Sequence, residues 1–383
     1  MPRRLVALIG AVVLVDTMLY AALAPILPAL EDEFLLSKSQ SGLLVGSYAA
    51  GTFLGALPGG FAATRYGPRR VVLAGLALMT VSGIVFALAQ SVVLLDLSRF
   101  VQGIGGAASW TAGLAWIGAE APAERRGEAL GYAIGAAIFG AQFGPVVGAI
   151  ADVAGRGPTF ASVAALGVVL AVFARLHPAS QSAARSGAAP RLLVGDRSFV
   201  AAAWLTFVAS LSFGAAEVLV PLRLDDLGAS ALAIGAAFLA AALVEAIVSP
   251  VAGRFADRSG ARVIVRASTF GGAAAVALLA LPGTALLLAL VLVVMGAALG
   301  MIWAPASSAA SLRAEQLGVD QGWAFALSNL GWAGGVGVGA AVGGVLGQVV
   351  GDWLPYAICA ALLAVTGFAA ARLHAGGLSS PGR

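Results

Sequence analysis

Charge is scarce in this sequence: 10% of its 383 residues are Asp, Glu, Lys or Arg, where a soluble domain carries roughly 25%. So few charges cannot cover a water-facing surface for a chain of this length. A set of soluble domains is therefore excluded, and the bilayer is the expected solvent. Cysteine occurs once, at Cys359, which excludes an intramolecular disulfide framework and any Cys-cluster metal site and leaves the redox compartment unread. Lysine also occurs once, at Lys38, and histidine twice, at His177 and His374. Both histidines fall at the edges of apolar runs, and no cluster pairs a nucleophile or metal ligands with a base. An enzyme is not expected, nor a metal or a cofactor. The net charge of +4 rests on 22 basic and 18 acidic residues and is read as membrane topology, not as nucleic-acid binding.

What is abundant is apolar: 60% of the residues, before 51 glycines are counted. Runs of roughly 20 residues, enough to span about 30 Å at 1.5 Å per residue, recur along the chain. They predict an all-α integral membrane protein with twelve transmembrane helices, at 5–29, 41–63, 71–90, 92–118, 129–154, 158–176, 199–221, 230–252, 262–282, 284–309, 322–348 and 353–373. The longest polar stretch, 177–198, is rich in Ala, Ser, Gly and Pro. It predicts a cytoplasmic linker between an N-terminal six-helix bundle at 1–176 and a C-terminal one at 199–383.

Retention of basic residues on the cytoplasmic side sets the orientation. One set of alternate connections holds Arg3, Arg4, Arg65, Arg69, Arg70, Arg125, Arg126, Arg175, Arg254, Arg258, Arg262 and Arg313, and the opposite set holds Lys38, Arg156 and Arg223 beside acids such as Glu31, Asp152 and Asp352. The arginine-rich side is expected to be cytoplasmic with both termini on it, in a plasma membrane of the bacterial inner-membrane type. The opening run is interrupted by Asp16 but is long enough to span. Its competing reading is a cleaved secretory signal ending near Ala22-Leu23-Ala24.

The chain repeats itself at half length. Gly60-Phe61-Ala62-Ala63-Thr64-Arg65-Tyr66-Gly67-Pro68-Arg69 is echoed by Gly253-Arg254-Phe255-Ala256-Asp257-Arg258-Ser259-Gly260-Ala261-Arg262, an offset of 253 − 60 = 193. A weaker echo relates Gly127, Gly140, Gly144 and Gly148 to Gly322, Gly335, Gly339 and Gly343 at 322 − 127 = 195. Both copies of the loop resemble the Gly-x-x-x-Asp-Arg-x-Gly-Arg-Arg motif of the major facilitator superfamily, with Thr64 in place of the acid in the first. Arg99-Phe100-Val101-Gln102-Gly103-Ile104-Gly105 resembles that family's Arg-x-x-Gln-Gly-x-Gly signature. Gly131, Gly140, Gly144-Pro145 and Gly148 are similar to its antiporter signature, short of the last glycine. Asp16 with Pro25 and Pro28 is similar to the drug:proton antiporter branch.

The resemblance covers nearly the whole chain and implies two pseudo-symmetric bundles, with helices one, four, seven and ten around a central cavity. It implies a secondary transporter, monomeric, that exchanges a lipophilic or amphipathic small molecule for protons by alternating access. Proton symport or facilitated diffusion of a small metabolite such as a sugar is the other transport reading. A channel or a membrane-embedded receptor would not need two matched halves.

The candidate site residues follow from depth and type. Asp16 lies about 16 Å into the first helix, near the midplane. An ionised carboxylate facing lipid there would cost about 2.5–3.5 kcal/mol or more, so Asp16 must face the bundle or water, as a proton carrier or in a fixed ion pair. Arg99 reaches a comparable depth on the fourth helix, and Gln102 shares its face at i+3. Arg99 cannot readily lose its proton, so it modulates a carboxylate, anchors substrate or packs on backbone carbonyls. Glu217 and Glu245, in the seventh and eighth helices, are candidate second proton sites.

The family's cavity helices would supply Tyr20, Trp110, Phe207, Phe213, Met295, Met301 and Trp303 beside Gln102, an aromatic and Met-rich wall suited to a lipophilic substrate, though each also reads as ordinary packing. Gly60, Thr64, Arg65, Gly67 and Arg69, with Gly253, Asp257, Arg258, Gly260 and Arg262, are implied to gate the cytoplasmic side, and the neutral Thr64 to weaken that closure. Gly140, Gly144, Pro145 and Gly148 are expected to admit a close helix neighbour and, in the family, to seal and pivot the bundle interface.

Overall fold

A computed structural model describes residues 3–122, 125–178 and 190–372. The centre of the expected linker, 179–189, and the side chain of Asp257 lie outside the described residues. Among the described residues there is no strand. The first half comprises α1 (Arg3–Ala21), α2 (Leu23–Phe34), α3 (Lys38–Tyr66), α4 (Pro68–Leu88), α5 (Val92–Glu120), α6 (Arg126–Ala154) and α7 (Arg156–Leu176). A short α8 (Arg191–Gly195) follows, inside the stretch expected to be linker. The second half comprises α9 (Arg197–Asp226), α10 (Ala231–Ser259), α11 (Ala261–Leu278), α12 (Ala285–Gly300), α13 (Trp303–Gln316), α14 (Gln321–Val349) and α15 (Trp353–Arg372).

Among the described residues, ten stretches are long and apolar enough to cross a membrane, α12 with α13 counting as one. The two remaining long helices, α3 and α5, have 29 residues each but carry more polar side chains, among them Arg99 and Gln102 on α5. Exposed large apolar side chains such as Val93, Val153, Phe173, Ile247 and Phe368 clothe the outside of the bundle, a surface that suits hydrocarbon.

Local chemistry sets the helix ends. The Ser37 hydroxyl accepts from the Gln40 N–H while the Gln40 side chain accepts from the Ser37 N–H, a capping box that starts α3. Single hydroxyls of Ser91, Ser230 and Thr284 start α5, α10 and α12. Proline accounts for two breaks. Lacking an N–H, Pro25 cannot bond the Ala21 carbonyl, and Pro305 cannot bond that of Met301; α1 stops at Ala21 and α12 at Gly300. The expected first and tenth spans are thus each two helices. Gly67 and Gly260 have φ of 87° and 86°, a left-handed backbone that glycine alone adopts without strain. Both copies of the loop motif therefore turn alike.

The repeat is also a repeat of contacts. On α6, Gly140, Gly144 and Gly148 press against Leu14, Met18 and Ala22 of α1 and its continuation; on α14, Gly335, Gly339 and Gly343 press against Phe207, Leu211 and Ala215 of α9. The partners are related by 207 − 14 = 211 − 18 = 215 − 22 = 193. Each half thus seals its leading helix to its glycine-rich helix by backbone approach, as small residues allow in a membrane. The two halves meet where α3 runs along α14 and α6 along α10, with α2 against α9.

The interface is tight at one end. There Lys38 Nζ lies 2.8 Å from Asp352 Oδ1, and the Ser39 N–H donates to Gln348 Oε1 at 3.1 Å. A methyl group at Gly235 of α10 would stand 3.0 Å from the Pro145 carbonyl oxygen of α6. Toward the opposite end the α6 glycines face open space, a methyl group at Gly127, Gly131 or Gly135 meeting no atom within 4 Å, while Ala129, Ala133 and Ala137 on the other face of the helix stay buried. On the other flank, a methyl group at Gly60 would stand 3.5 Å from the Trp323 ring.

Candidate substrate and proton site

Asp16, Arg99 and Gln102 are buried together, at 4%, 1% and 3% exposure, as their depth in the sequence leads one to expect. Asp16 comes from α1, and its Oδ1 accepts from the Tyr48 hydroxyl of α3 at 3.0 Å. Room for the carboxylate exists because α5 carries no side chain at Gly106, where a methyl group would stand 2.7 Å from the Asp16 Cγ. Arg99 does not form an ion pair with Asp16 within 4 Å among the described residues. Its Nη1 donates to the Leu19 carbonyl at 3.1 Å and to Gln102 Oε1 at 3.0 Å, and its Nη2 donates to the Tyr20 carbonyl at 3.2 Å. The guanidinium carbon stands 5.1 Å from the centre of the Tyr48 ring, within cation–π range. Arg99 Nε and Gln102 Nε2 are buried donors with no hydrogen-bond partner among the described residues.

The carbonyls of Leu19 and Tyr20 can accept from Arg99 because α1 ends there. With Pro25 two residues into α2, the last turn of α1 lacks part of its helical partners, and the guanidinium takes up those acceptors. Arg99 therefore ties α5 to the break between α1 and α2.

Tyr20 carries the site across to the second half. Its hydroxyl donates to Glu217 of α9, with oxygen separations of 2.8 and 2.6 Å. Its ring lies 4.9 Å from that of Tyr48 and 5.3 Å, edge-on, from that of Trp332 on α14. Glu245 stands apart, in the second half, where its Oε1 accepts from Trp303 Nε1 at 2.6 Å. Trp303 stacks on Phe213 with ring centres 6.1 Å apart. Phe207 stacks instead on Trp204, at 5.6 Å, and Trp204 bonds Thr366 of α15. Trp110 and Met301 are half-buried, whereas Met295 is fully buried and lines no cavity, contrary to expectation.

The half-length repeat shows which features are shared. Trp303 − Trp110, Phe213 − Tyr20 and Glu245 − Thr52 are all separated by 193 positions, and the counterpart of Asp16 at that offset is Ala209. These two aromatic positions recur in both halves; Asp16, Glu217 and Glu245 have no acidic counterpart.

The loop residues are peripheral to this group. Thr64 is exposed, and its hydroxyl donates to the Phe61 carbonyl at 2.8 Å, within its own helix. Arg65 and Arg258 are exposed, and Arg69 donates to the Arg175 carbonyl at the end of α7. Arg262 is half-buried at the start of α11, and Gly253 lies where a methyl group would stand 3.2 Å from Ala304. Sequence reasoning missed Tyr48 and Trp332. A single large amphipathic ring in Gly46-Ser47-Tyr48-Ala49-Ala50-Gly51 was the available signal for Tyr48, since a buried tyrosine needs a partner for its hydroxyl.

The chain matches the family model described as Major Facilitator Superfamily over residues 9–222 and 202–376. It is 34% identical over 107 residues to the MFS-type transporter ppzB of Metarhizium rileyi, a match covering 27% of this chain and 22% of that protein. It is 32% identical over 98 residues to the arabinose-proton symporter of Bacillus subtilis, covering 26% of this chain and 21% of the relative. A third match, 32% over 96 residues, is to the multidrug resistance protein Stp of Mycobacterium tuberculosis, covering 25% and 18%. The chain thus spans between 18% and 22% of the length of these relatives. The solved structure of the xylose transporter XylE from E. coli, in a partially occluded inward open conformation, superposes with a TM-score of 0.76 over 99% of this chain and 98% of that one, at 15% identity. At that identity the likeness is one of fold.

Proposed function

Because the chain belongs to the Major Facilitator Superfamily, we propose that it is a twelve-span secondary transporter of the drug:proton antiporter-like branch. It exports a lipophilic or amphipathic small molecule in exchange for protons, by alternating access, as a monomer in a plasma membrane. The twelve spans are α1 with α2, α12 with α13, and the ten other long helices. The arginine-rich end is cytoplasmic and carries both termini. The end closed by Lys38 and Asp352 then faces outward.

One observation carries the proton coupling: the Asp16 carboxyl, 4% exposed, is held by a neutral phenol beside a fixed guanidinium and not locked in an ion pair. A carboxyl so placed can stand in either protonation state, whereas a bidentate ion pair would pin it in one. The half-buried rings of Tyr20, Trp110, Phe213 and Trp303 supply apolar contacts for a small solute. The relative named a multidrug resistance protein agrees with export. The relative named an arabinose-proton symporter favours a second reading, proton symport of a small polar metabolite.

Inverted membrane vesicles with an acidic lumen separate the two, with ethidium and L-arabinose as probes. Antiport accumulates ethidium, and the accumulation collapses when nigericin removes the pH gradient. Symport instead drives arabinose out of the acidic lumen, and a facilitator equilibrates either probe whatever the gradient.

A further inference from the structure

We propose that Tyr48 is a positioning residue of the coupling site, holding the Asp16 carboxyl and joining it, through the Tyr20 ring, to the contact that closes the two halves. The proposal rests on the reading of Asp16 as the proton-coupling acid. Tyr48 is 3% exposed, on a helix whose other residues near it are small. Three contacts converge on this one side chain. Its hydroxyl donates to Asp16 at 3.0 Å, its ring meets the Arg99 guanidinium at 5.1 Å, and the same ring lies against Tyr20 at 4.9 Å.

Both partners in the hydrogen bond are fixed by the same helix. A methyl group at Gly103 of α5 would stand 2.9 Å from the Tyr48 carbonyl carbon, and one at Gly106 would stand 2.7 Å from the Asp16 Cγ. Tyr48 and Asp16 are therefore both packed closely against α5, within the first half. Tyr20 is the mobile partner, because its hydroxyl bonds Glu217 in the second half and must part from it when the halves separate at that end. Closure of the outer end is thus felt at Asp16 by two routes, the Tyr20–Tyr48 ring contact and the bond from Arg99 to the Tyr20 carbonyl. The titratable and charged groups that face Asp16 are Tyr48 from α3 and Arg99 from α5. At this level α6 offers α1 Gly140 and the Ala137 carbonyl, which accepts from Thr17 at 2.7 Å.

The test is an infrared titration of the purified full-length protein in lipid, in which the Asp16 carboxyl band is assigned by its loss in Asp16→Asn. Tyr48→Phe keeps the ring and removes the hydroxyl. It should move the midpoint of the Asp16 band by about one pH unit, a tenfold change in proton affinity, while circular dichroism and melting remain those of the wild type. Coincident titrations in Tyr48→Phe and wild type overturn the proposal. Asp16→Asn gives the reciprocal reading: one tyrosine C–O band should shift, and unchanged tyrosine bands overturn it as well. A displaced midpoint in Tyr48→Phe, combined with wild-type proton-driven transport in Asp16→Asn, would support the positioning by Tyr48 and overturn the coupling role of Asp16.

Discussion

The Tyr20 hydroxyl on α1 reaches both oxygens of Glu217 on α9, at 2.8 and 2.6 Å, and so hydrogen-bonds one half of the protein to the other beside the Asp16 cage. Tyr20→Phe retains the contacts with Tyr48 and Trp332 and removes the donor. A hydrogen bond contributes about 0.5–1.5 kcal/mol, so the closed fraction at this end should fall by up to about tenfold. Electron-spin distance measurements between labels at the exposed residues Leu35 and Val350 should show a longer population in Tyr20→Phe. Unchanged distances would assign closure to the other contacts of that end.

The ion pair of Lys38 with Asp352 is one of those contacts, and its partners are 30% and 22% exposed. An ion pair this wet is worth about 1 kcal/mol or less and is screened by salt. Raising the salt concentration should therefore lengthen the same label distance slightly in the wild type, and Lys38→Ala should be insensitive to it. Equal salt responses in both proteins would show that the pair carries no closure energy.

Glycines of α6 differ sharply in what surrounds them. A methyl group at Gly144 would stand 2.8 Å from the Met18 carbonyl oxygen and the Ala21 carbonyl carbon, whereas Gly131 has open space. Gly144→Val should destabilise the fold by about 1–3 kcal/mol or more through overpacking against α1. Gly131→Ala should leave it unchanged or stabilise it by up to about 1 kcal/mol. Thermal unfolding in detergent reads both. Equal melting temperatures for Gly144→Val and wild type would mean that α1 yields without cost.

Outside the spans, the hydrogen bond from Arg313 holds the Asp196 carboxyl below the usual carboxylate range, at about 2, with the Phe199 and Ser198 N–H groups assisting. Because the folded value lies below the ordinary 3.8, the ionised group contributes stability above that pH, and the contribution is lost as pH falls through about 2. Asp196→Ala removes the charge and the cap of α9 and should cost about 1 kcal/mol at neutral pH. Asp196→Asn keeps a capping oxygen and should cost less. The deficit of Asp196→Asn should shrink between pH 3.8 and about 2; a deficit independent of pH would rule out the ionised carboxyl as its source.

Ten span positions were legible in the sequence because each of those runs is long and apolar, and the repeated loop because the Gly67 and Gly260 turns recur at a fixed offset. Asp16, Arg99 and Gln102 were legible because charge inside an apolar run must turn inward. Which face of an apolar helix meets another helix was not, since lipid and protein interior are both apolar and leave no periodic contrast. For that reason the glycines of α6 were expected at the interface between bundles, while Gly140, Gly144 and Gly148 pack on α1 and α2 of their own half, and Pro145 alone of that set meets Gly235 of the other. Tyr48 escaped notice because α3 was not counted among the cavity helices. Thr64 stood out as a missing acid, yet its hydroxyl is satisfied within its own helix.

Proton-driven transport by Asp16→Asn is the most direct test of the central claim, that the carboxyl bonded to Tyr48 carries the coupled proton. Inverted vesicles with an acidic lumen are loaded with wild-type or Asp16→Asn protein in equal amounts, and gradient-driven accumulation of ethidium is compared with its exchange at uniform pH. Asp16→Asn should abolish accumulation while exchange persists. Accumulation at the wild-type rate would contradict that claim and leave Asp16 a structural acid, with Glu217 and Glu245 as the remaining candidates.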